Sequence, residues 1–200
     1  MSDKMPVVSI NSKERILLSA ARLFRDQGYA ATTLRMIASL SEIKAGSIYY
    51  HFDSKESILI DVLNRGIENV ENEVRMRINL LPSNSTFKDI LKTAIEGHLA
   101  GILSNGDYTS ANIKIYSQIP LKAKERHKVV RRAYADYWDS LFEEAFDNGE
   151  LREALNKNVF RLFVLGSLNW TTEWYDPKRG SFEDLVDQVT AILFFGIFKK

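Results

Sequence analysis

Apolar residues recur at intervals of three and four along most of the chain, and this spacing predicts an almost wholly helical protein. The sequence contains only 10 glycines and 4 prolines, and long stretches contain neither. Residues 81–85 form the clearest loop, because turn and capping residues cluster there. After this loop, helical patterns are predicted at residues 86–104, 108–118, 121–148, 157–175 and 182–198. With four helices before the loop, about nine helices are predicted in all.

The helices before the loop carry clear start signals. Asn11 can cap a first helix, with Glu14 reaching back to it, and Gly28 is predicted to end that helix. Thr33 can cap a second helix, and Ser54 can cap a long fourth helix. The first three helices are predicted to share a small core, built from Leu23, Phe24, Ile37, Ile48 and Phe52.

Residues 32–59 are the most informative segment, because two short helices and a tight turn make a unit too small to fold alone. Ile48 and Phe52, four positions apart, are predicted to form the buried edge of the second short helix. The rest of that helix carries tyrosines, a histidine and small residues. Hydroxyl and ammonium groups hold phosphates, and small side chains let a helix lie deep in a groove. The pattern therefore predicts a helix-turn-helix that binds double-stranded DNA.

Three runs of sequence in this segment match a known pattern: TTLRMIA at residues 32–38, IKAGSIYYHF at 43–52 and SKE at 54–56. They resemble the DNA-binding domain of TetR-family (tetracycline-repressor-like) transcriptional regulators. The chain departs from the family pattern at Ser41-Glu42, where Ala-Gly is usual, and at Lys44, where a serine usually caps the recognition helix. A lysine cannot accept the first-turn amide hydrogen bonds that a serine accepts. Lys44 therefore either contacts DNA or is simply exposed to solvent.

The resemblance implies an N-terminal helix-turn-helix domain at residues 1–53 and a larger helical ligand-binding and dimerisation domain at residues 54–200, both all-α. It implies that Tyr49 and Lys55 hold phosphates, whereas base readout depends more on Ala45, Ser47 and Tyr50. The expected DNA contacts are Thr33, Arg35, Lys44, Ala45, Ser47, Tyr49, Tyr50, His51 and Lys55.

Composition and charge restrict the classes of function. The formal net charge is only +1, so affinity for DNA must come from a local patch. Residues 1–60 contain eight Lys/Arg against six acids, a net charge of +2. The absence of cysteine excludes disulfides and thiolate metal sites. No secretion signal and no run of about 18 apolar residues occurs, so no membrane partner is expected and a cytoplasmic location is predicted.

The last two predicted helices are unusually apolar, and the final one is apolar on more than one side. A helix of this kind needs partners on several faces. The resemblance implies a homodimer formed through a four-helix bundle, with two helices from each chain. The alternative is that both are central core helices of a single subunit. The expected interface residues are Leu168, Val189, Ile192 and Leu193.

A small-molecule cavity is predicted from aromatic and polar residues on four helices of the larger half, although aromatic stripes at helical spacing can equally be core. Its expected lining is His98, Ile102, Ile113, Tyr116, Tyr134, Trp138, Asn169 and Trp170. The segment SLNWTTEWY at residues 167–175 resembles the corresponding part of TetR-type repressors of fatty-acid and sterol breakdown. Their effectors are acyl-CoA thioesters. Arg131 or Lys122 would then meet the CoA phosphates, but the sequence does not single them out.

Catalysis finds no support in the motifs. The sequence lacks a G-x-S-x-G nucleophile turn, a Gly-rich phosphate loop and an H-E-x-x-H metal motif. His51, His98 and His127 lie far apart without the spacing of metal ligands. No catalytic residue, metal or cofactor is expected, and the chain is predicted not to be an enzyme.

The leading interpretation is a homodimeric transcriptional repressor that a small-molecule effector, an acyl-CoA if the second resemblance holds, releases from its operator. One alternative is an efflux-pump regulator that responds to aromatic or cationic drugs. It would need a buried acid such as Glu96 or Glu173 facing the cavity. Another is a DNA-binding protein of the same fold that a protein partner controls, and a third is a helical enzyme or carrier that uses the cavity for chemistry.

Overall fold

The computed structural model describes residues 11–103, 106–152 and 154–197. These residues form eight α-helices and one 3-10 helix. The α-helices are α1 (Ser12–Ala31), α2 (Leu34–Leu40), α3 (Lys55–Asn79), α4 (Phe87–Leu103), α5 (Gly106–Ile115), α6 (Leu121–Asp147), α7 (Lys157–Trp174) and α8 (Phe182–Ile197). The 3-10 helix (Ala45–Tyr50) lies between α2 and α3. The predicted all-α fold and the predicted order of the helices are confirmed.

The helix ends predicted from periodicity lie close to the observed ones. The helix predicted at residues 108–118 begins earlier, at Gly106, and ends at Ile115 in a series of turns. Ser104 and Phe198, two predicted helix ends, lie outside the described residues. In the part of the chain that is described, no helix is long and apolar enough to cross a membrane.

Side-chain caps explain where the first helices begin. The Asn11 carboxamide oxygen accepts the Glu14 backbone N–H at 2.8 Å, and Thr33 and Ser54 cap α2 and α3 in the same way. All three predicted caps are confirmed. The Glu14 carboxylate, which was expected to reach back to Asn11, instead accepts a hydrogen bond from the Tyr108 hydroxyl and pairs with an arginine of α3. This carboxylate therefore connects α1 to α5 and α3.

Helix α1 is interrupted close to its end by Gly28, whose φ of 84° and ψ of 165° are not helical. Glycine adopts positive φ at little energetic cost because it has no Cβ. The Thr32 hydroxyl donates to the Gly28 carbonyl at 2.8 Å and so holds the chain where it turns towards α2. The prediction that regular helix ends at Gly28 is confirmed, although helical residues resume as far as Ala31.

The first hydrophobic core lies beneath α1, α2 and the 3-10 helix. It contains four of the five predicted core residues, Phe24, Ile37, Ile48 and Phe52, while Leu23 packs against it partly buried. Residues of α3 and α5 complete the same core. Because α5 belongs to the larger half of the sequence, the two halves share this core, and the proposed division at residue 53 stays a prediction.

The second core lies where α4, α6, α7 and α8 meet the second half of α3. Trp138 and Phe142 of α6 are almost fully buried in it. Helices α3 and α4 approach closely because Gly97 has no side chain; a Cβ there would lie 2.8 Å from the Val74 Cα, too near for two carbon atoms. This contact fixes α4 and places its next residue, His98, inside the larger half.

Candidate nucleic-acid interface and effector cavity

The turn between α2 and the 3-10 helix carries a local strain. Glu42 has a φ of 55°, in the left-handed region that favours glycine. Arg15 of α1 braces this turn, since its guanidinium donates to the Ser41 carbonyl and to the Glu42 carboxylate. The Ser41 hydroxyl donates to the Ile37 carbonyl at 2.7 Å. These hydrogen bonds hold a turn that lacks the usual glycine of the resembling pattern.

The recognition element differs from the two-turn α-helix that the sequence predicted. It is a 3-10 helix of 6 residues, and Lys44 at its start makes no side-chain capping hydrogen bond. The short length is physically reasonable, because 3-10 geometry rarely extends beyond a few residues. Ile48 and Phe52 anchor the element in the first core with exposures of 0% and 5%. Its remaining side chains are therefore turned away from the core.

The side chains predicted to contact DNA lie mainly on the surface of α2 and the 3-10 helix, two elements that contact each other. Tyr50 and Tyr49 are 87% and 63% exposed, unusually high for tyrosine side chains. Ser47 is partly buried. The other exposed members of the predicted set are Thr33, Arg35, Lys44, Ala45 and His51.

Lys55, which the resemblance implies holds a phosphate, is the exception in this set because its ammonium group is already hydrogen-bonded within the protein. It donates to the Tyr29 carbonyl at 2.9 Å and to the Thr32 carbonyl at 2.7 Å, and it lies 4.3 Å from the centre of the Tyr29 ring. Desolvation in this position lowers the pKa of Lys55 below its usual value. An ammonium has three N–H groups, so one remains for a further acceptor. Lys55 thus ties α3 to the end of α1.

A cavity of about 370 Å³ lies between α3, α4, α5, α6 and α7. This volume falls in the range of small-molecule sites, about 300–1,000 Å³. Helices α3 and α5 meet closely at its wall, because a Cβ on Gly66 would lie 2.9 Å from the Tyr108 carbonyl oxygen. Six of the eight predicted ligand residues line the cavity: His98, Ile102, Ile113, Tyr116, Tyr134 and Asn169.

The two predicted tryptophans do not line the cavity, and both assignments are corrected. Trp138 is 0% exposed and packs within the second core against Phe142 and His98. It lies one turn beyond Tyr134 on α6, where the helix has passed the cavity. Trp170 follows Asn169 on α7, and this step of one residue turns its side chain to the outside, where it is 66% exposed.

His98 organises a hydrogen-bonded chain in the cavity wall. Its Nδ1 lies 2.9 Å from the Tyr134 hydroxyl and its Nε2 lies 3.1 Å from the Asn169 carboxamide oxygen. Burial lowers the pKa of His98 to about 4, so the ring is neutral near pH 7. Because a carboxamide oxygen only accepts, Nε2 carries the proton and Nδ1 accepts from Tyr134. Burial also raises the pKa of the Tyr134 hydroxyl, which therefore remains a donor.

Two arginines line the cavity, and no carboxylate does so among the described residues. Arg161 is buried and donates to Asp139 at 2.7 Å. Arg131, one of two basic residues suggested for the CoA phosphates, lies with its guanidinium 4.3 Å from the centre of the Tyr116 ring. The acids that a cationic ligand would need are elsewhere: Glu96 pairs with an arginine of α3, and Glu173 is exposed. Within the described residues, no group of acids and histidines is arranged to hold a metal ion.

Known protein families match both the helix-turn-helix region and the larger helical region that contains the cavity. The family profile described as "Bacterial regulatory proteins, tetR family" matches residues 16–62. The profile described as "Tetracyclin repressor-like, C-terminal domain" matches residues 84–197, more than half of the chain. The chain belongs to the TetR family. TetR-family proteins are DNA-binding transcription factors and not enzymes, so this chain is a TetR-type transcriptional repressor with an N-terminal helix-turn-helix.

Full-length relatives of this TetR-family chain are also known. The fatty acid metabolism regulator protein of Bacillus subtilis (strain 168) is 25% identical over 197 residues, which cover 93% of this chain and 95% of the relative. The transcriptional repressor KstR2 of Rhodococcus jostii (strain RHA1) is 26% identical, with coverages of 92% and 90%. The solved structure of AibR in complex with isovaleryl coenzyme A and operator DNA has a TM-score of 0.75 at 21% identity, covering 91% of this chain and 97% of that one.

The outer face of α7 and α8 in this TetR-family fold is strongly apolar, but two of the four predicted interface residues are not part of it. Leu168 and Leu193 are 0% and 5% exposed, because their helix positions face the second core. Val189 is partly buried and Ile192 is 71% exposed. The large side chains that lie outside are Val159, Phe163, Trp170, Trp174, Ile192 and Phe195, whereas the exposed Leu162 lines the cavity.

The interpretation of α7 and α8 as core helices therefore holds for one face of each helix. One face of each helix packs into the core, and the opposite face remains uncovered within the subunit. A groove of about 570 Å³ runs between them and is lined mainly by apolar atoms. Sequence periodicity identified both helices as unusually apolar, but it did not distinguish the inward set from the outward one, because apolar residues occur on both faces.

Proposed function

We propose that this TetR-type repressor works as a homodimer that an acyl-CoA thioester releases from its operator. The observation that carries the proposal is the chemistry of the cavity. Its walls are largely apolar, it contains a neutral hydrogen-bonded chain at His98, and the only charged side chains among its described lining are Arg131 and Arg161. An acyl chain suits the apolar walls, and the positive charge suits an anionic headgroup.

A cationic drug is a poorer fit to the same cavity. A buried cation needs a carboxylate or a π face to offset its lost hydration, and in this cavity the Tyr116 ring already faces Arg131 while the Tyr134 ring stacks on His98. No carboxylate is found among the described lining residues, and Arg131 would repel a cation, whereas Arg161 is paired with Asp139. The similarity to a fatty acid metabolism regulator and to AibR, whose structure contains isovaleryl coenzyme A, supports an acyl-CoA further.

The proposed DNA surface consists of the exposed residues on α2 and the 3-10 helix. Tyr50 and Tyr49 are the most exposed large side chains there, and Ile48 beneath them fixes the element to the core. Arg35 and Lys44 add positive charge to an otherwise nearly neutral chain. We assign Tyr49, Lys44 and the remaining N–H of Lys55 to phosphates, and Ala45, Ser47 and Tyr50 mainly to base edges.

The proposed dimer uses the outward faces of α7 and α8. Ile192 and Phe195 on α8 are 71% and 85% exposed, and Phe163 on α7 is 66% exposed. A contiguous apolar surface of this kind marks an interface. A second copy is the natural occupant in a helix-turn-helix protein, because twofold pairs read two half-sites about 34–36 Å apart or at multiples of that distance.

Release follows from a change in the spacing of the two recognition elements. A ligand shifts a conformational equilibrium only by its differential affinity for the two states. The cavity wall includes residues of α3 and α5, and both helices also build the core of the helix-turn-helix. A ligand that moves α3 and α5 therefore moves the recognition elements. A modest pendulum-like shift of α3 would break the match to the operator spacing.

The test begins with an operator duplex selected from a random library by the protein itself. Its affinity is measured with and without saturated acyl-CoAs of increasing chain length, and ligand binding is followed by calorimetry. We expect at least one acyl-CoA to weaken DNA binding about 5–150-fold, the range of a coupling free energy of 1–3 kcal/mol. If no acyl-CoA binds and a drug-like cation releases the DNA, the proposed effector class is wrong.

A further inference from the structure

The first half of α6 is the most basic segment of the protein. Between residues 121 and 132 the sequence has six Lys/Arg and a single acid, Glu125, so this stretch alone carries a net charge of +5 in a chain whose total is +1. Such a concentration of one sign attracts anions. The basic residues are Lys122, Lys124, Arg126, Lys128, Arg131 and Arg132.

Two of these cations converge on a single aromatic ring. The Lys124 ammonium lies 5.4 Å and the Arg131 guanidinium 4.3 Å from the centre of the Tyr116 ring. Lys124 and Arg131 are seven positions apart, so they lie on the same face of α6. Tyr116 and Arg131 also line the cavity. Arg131 therefore lies in the wall of the cavity, and Lys124 lies beside the same tyrosine ring.

The charges of this pair are not neutralised by the neighbouring acids. Arg132 pairs with Asp136 at 2.7 Å and Lys128 with Glu125 at 3.9 Å, whereas no ion pair involves Lys124 or Arg131 in the described part of the chain. Burial lowers the pKa of the adjacent His127 to about 4, and Arg131 lowers it further, so His127 adds neither charge nor neutralisation near pH 7. An anion at this position would meet two unpaired cations.

We propose that Lys124, Arg131 and Tyr116 form a binding site for the phosphates of a nucleotide headgroup, at the edge of the cavity that holds the acyl chain. The inference rests on the proposed acyl-CoA function and assigns its headgroup a place. Arg131 can bind a phosphate through two parallel N–H groups, and Lys124 acts as a point charge. The Tyr116 ring holds both cations in position through its face.

This basic site adjoins the cavity, and that position favours a ligand headgroup over DNA as its partner. A DNA-binding patch would need to lie alongside the exposed recognition residues. Tyr116 and Arg131 instead form part of the cavity wall, between α5, α6 and α7. The thioester ligand would extend from the apolar interior past Tyr116, so its phosphates would meet Lys124 and Arg131 as it leaves the cavity.

Calorimetry with coenzyme A alone tests the headgroup site, because this probe lacks an acyl chain. S-decanoyl-pantetheine, which has the acyl chain but no phosphate, is the complementary probe. Lys124→Gln and Arg131→Gln are compared with Arg132→Gln, a matched control that removes the same charge one residue further along α6. We expect each of the first two variants to weaken coenzyme A about tenfold, the loss of one charge-assisted hydrogen bond. Arg132→Gln should leave its affinity within about twofold of the parent protein, and Lys124→Gln and Arg132→Gln should have as little effect on S-decanoyl-pantetheine, which has no phosphate.

The outcomes separate this inference from the proposed function. If coenzyme A does not bind the parent protein at millimolar concentration, or binds all variants equally, the headgroup site is wrong, even if S-decanoyl-pantetheine binds and the effector proposal stands. If coenzyme A binds through Lys124 and Arg131 but no acyl thioester affects DNA, the site stands and the effector proposal fails. A loss of affinity for a random-sequence duplex, with coenzyme A binding unchanged, would assign the two cations to DNA instead.

Discussion

The Tyr108 hydroxyl on α5 donates a hydrogen bond of 2.8 Å to the Glu14 carboxylate on α1. Burial and this carboxylate raise the pKa of Tyr108, so its proton stays in place. The preceding residue, Asp107, pairs with Arg22 and Arg25 of α1. The first turn of α5 is therefore attached to the DNA-binding helices, while later residues of α5 line the cavity. This helix links the two sites directly.

We predict that weakening the contacts between α5 and α1 reduces the effect of the acyl-CoA on operator affinity more than it reduces acyl-CoA binding. Asp107→Asn removes the charge that holds Arg22 and Arg25, and Tyr108→Phe removes the hydroxyl that reaches Glu14. The factor by which an effective acyl-CoA weakens operator binding should fall by severalfold in each variant, because movement of α5 is then transmitted less fully to α1. Calorimetry should show an unchanged affinity for the acyl-CoA. A full ligand response in both variants would show that α5 does not transmit the signal.

Lys55 and Lys44 should behave differently when each is replaced by alanine. Loss of Lys55 leaves the Tyr29 and Thr32 carbonyls without their donor, so the free energy of unfolding should fall by about 1–3 kcal/mol. Lys44 is exposed and makes no capping bond, so Lys44→Ala should leave stability nearly unchanged. In salt titrations of operator affinity, each variant should lower the slope by about one unit, the effect of one lost phosphate contact. A Lys55→Ala protein with reduced stability but an unaltered slope would restrict Lys55 to a structural role.

Acid should destabilise the protein through its buried histidines. The pKa values of His98 and His127 are held at about 4 in the folded protein, below the usual value of 6.5. Between pH 6.5 and about 4 the unfolded chain binds protons that the folded chain does not, so the free energy of unfolding falls as the pH is lowered. For His98 the loss should reach about 3 kcal/mol below pH 4. Urea unfolding of His98→Gln at pH 7 and pH 4.5 should show a smaller pH-dependent loss than the parent protein, and an equal loss would contradict the assignment.

The two faces of the last helices can be separated by a pair of substitutions. Ile192→Asp places a charge on the outward face, which an apolar interface would have to desolvate, so this variant should sediment as a folded monomer and lose operator binding. Leu168→Ala leaves a cavity in the core and should lower stability by about 2–5 kcal/mol while the dimer persists. Circular dichroism checks that each variant is folded. A folded Ile192→Asp dimer would refute the proposed interface.

Much of this architecture follows from the sequence because the signals are local. The caps at Asn11, Thr33 and Ser54 and the breaks at loops depend on neighbouring residues, which the sequence shows directly. The exposed recognition residues follow in the same way, since Ile48 and Phe52 fix which side of the element is buried. Helix periodicity thus predicted the order of the elements and the buried side of the recognition element.

The sequence could not settle which apolar residues face inward. Trp138 and Trp170 both fit an aromatic cavity by composition, yet one packs in the core and the other lies outside, because the rotation of α6 and α7 is set by tertiary contacts. For the same reason, the sequence did not show that Leu168 is buried in the core whereas Ile192 is exposed. The sequence also did not predict that Lys55 hydrogen-bonds within the protein. Its acceptors are the Tyr29 and Thr32 backbone carbonyls, and no side-chain pattern reveals the kinked helix end that presents them.

Reciprocal titration of one acyl-CoA and the selected operator duplex tests the central claim most directly. The affinity of the protein for DNA is measured with and without a saturating acyl-CoA, and the affinity for the acyl-CoA is measured with and without DNA. If the ligand acts by stabilising a dimer whose recognition elements no longer match the operator, both affinities must fall by the same factor, expected to be about 5–150. Independent binding of the two ligands, with a stable ternary complex and no loss of either affinity, would contradict the proposed mechanism.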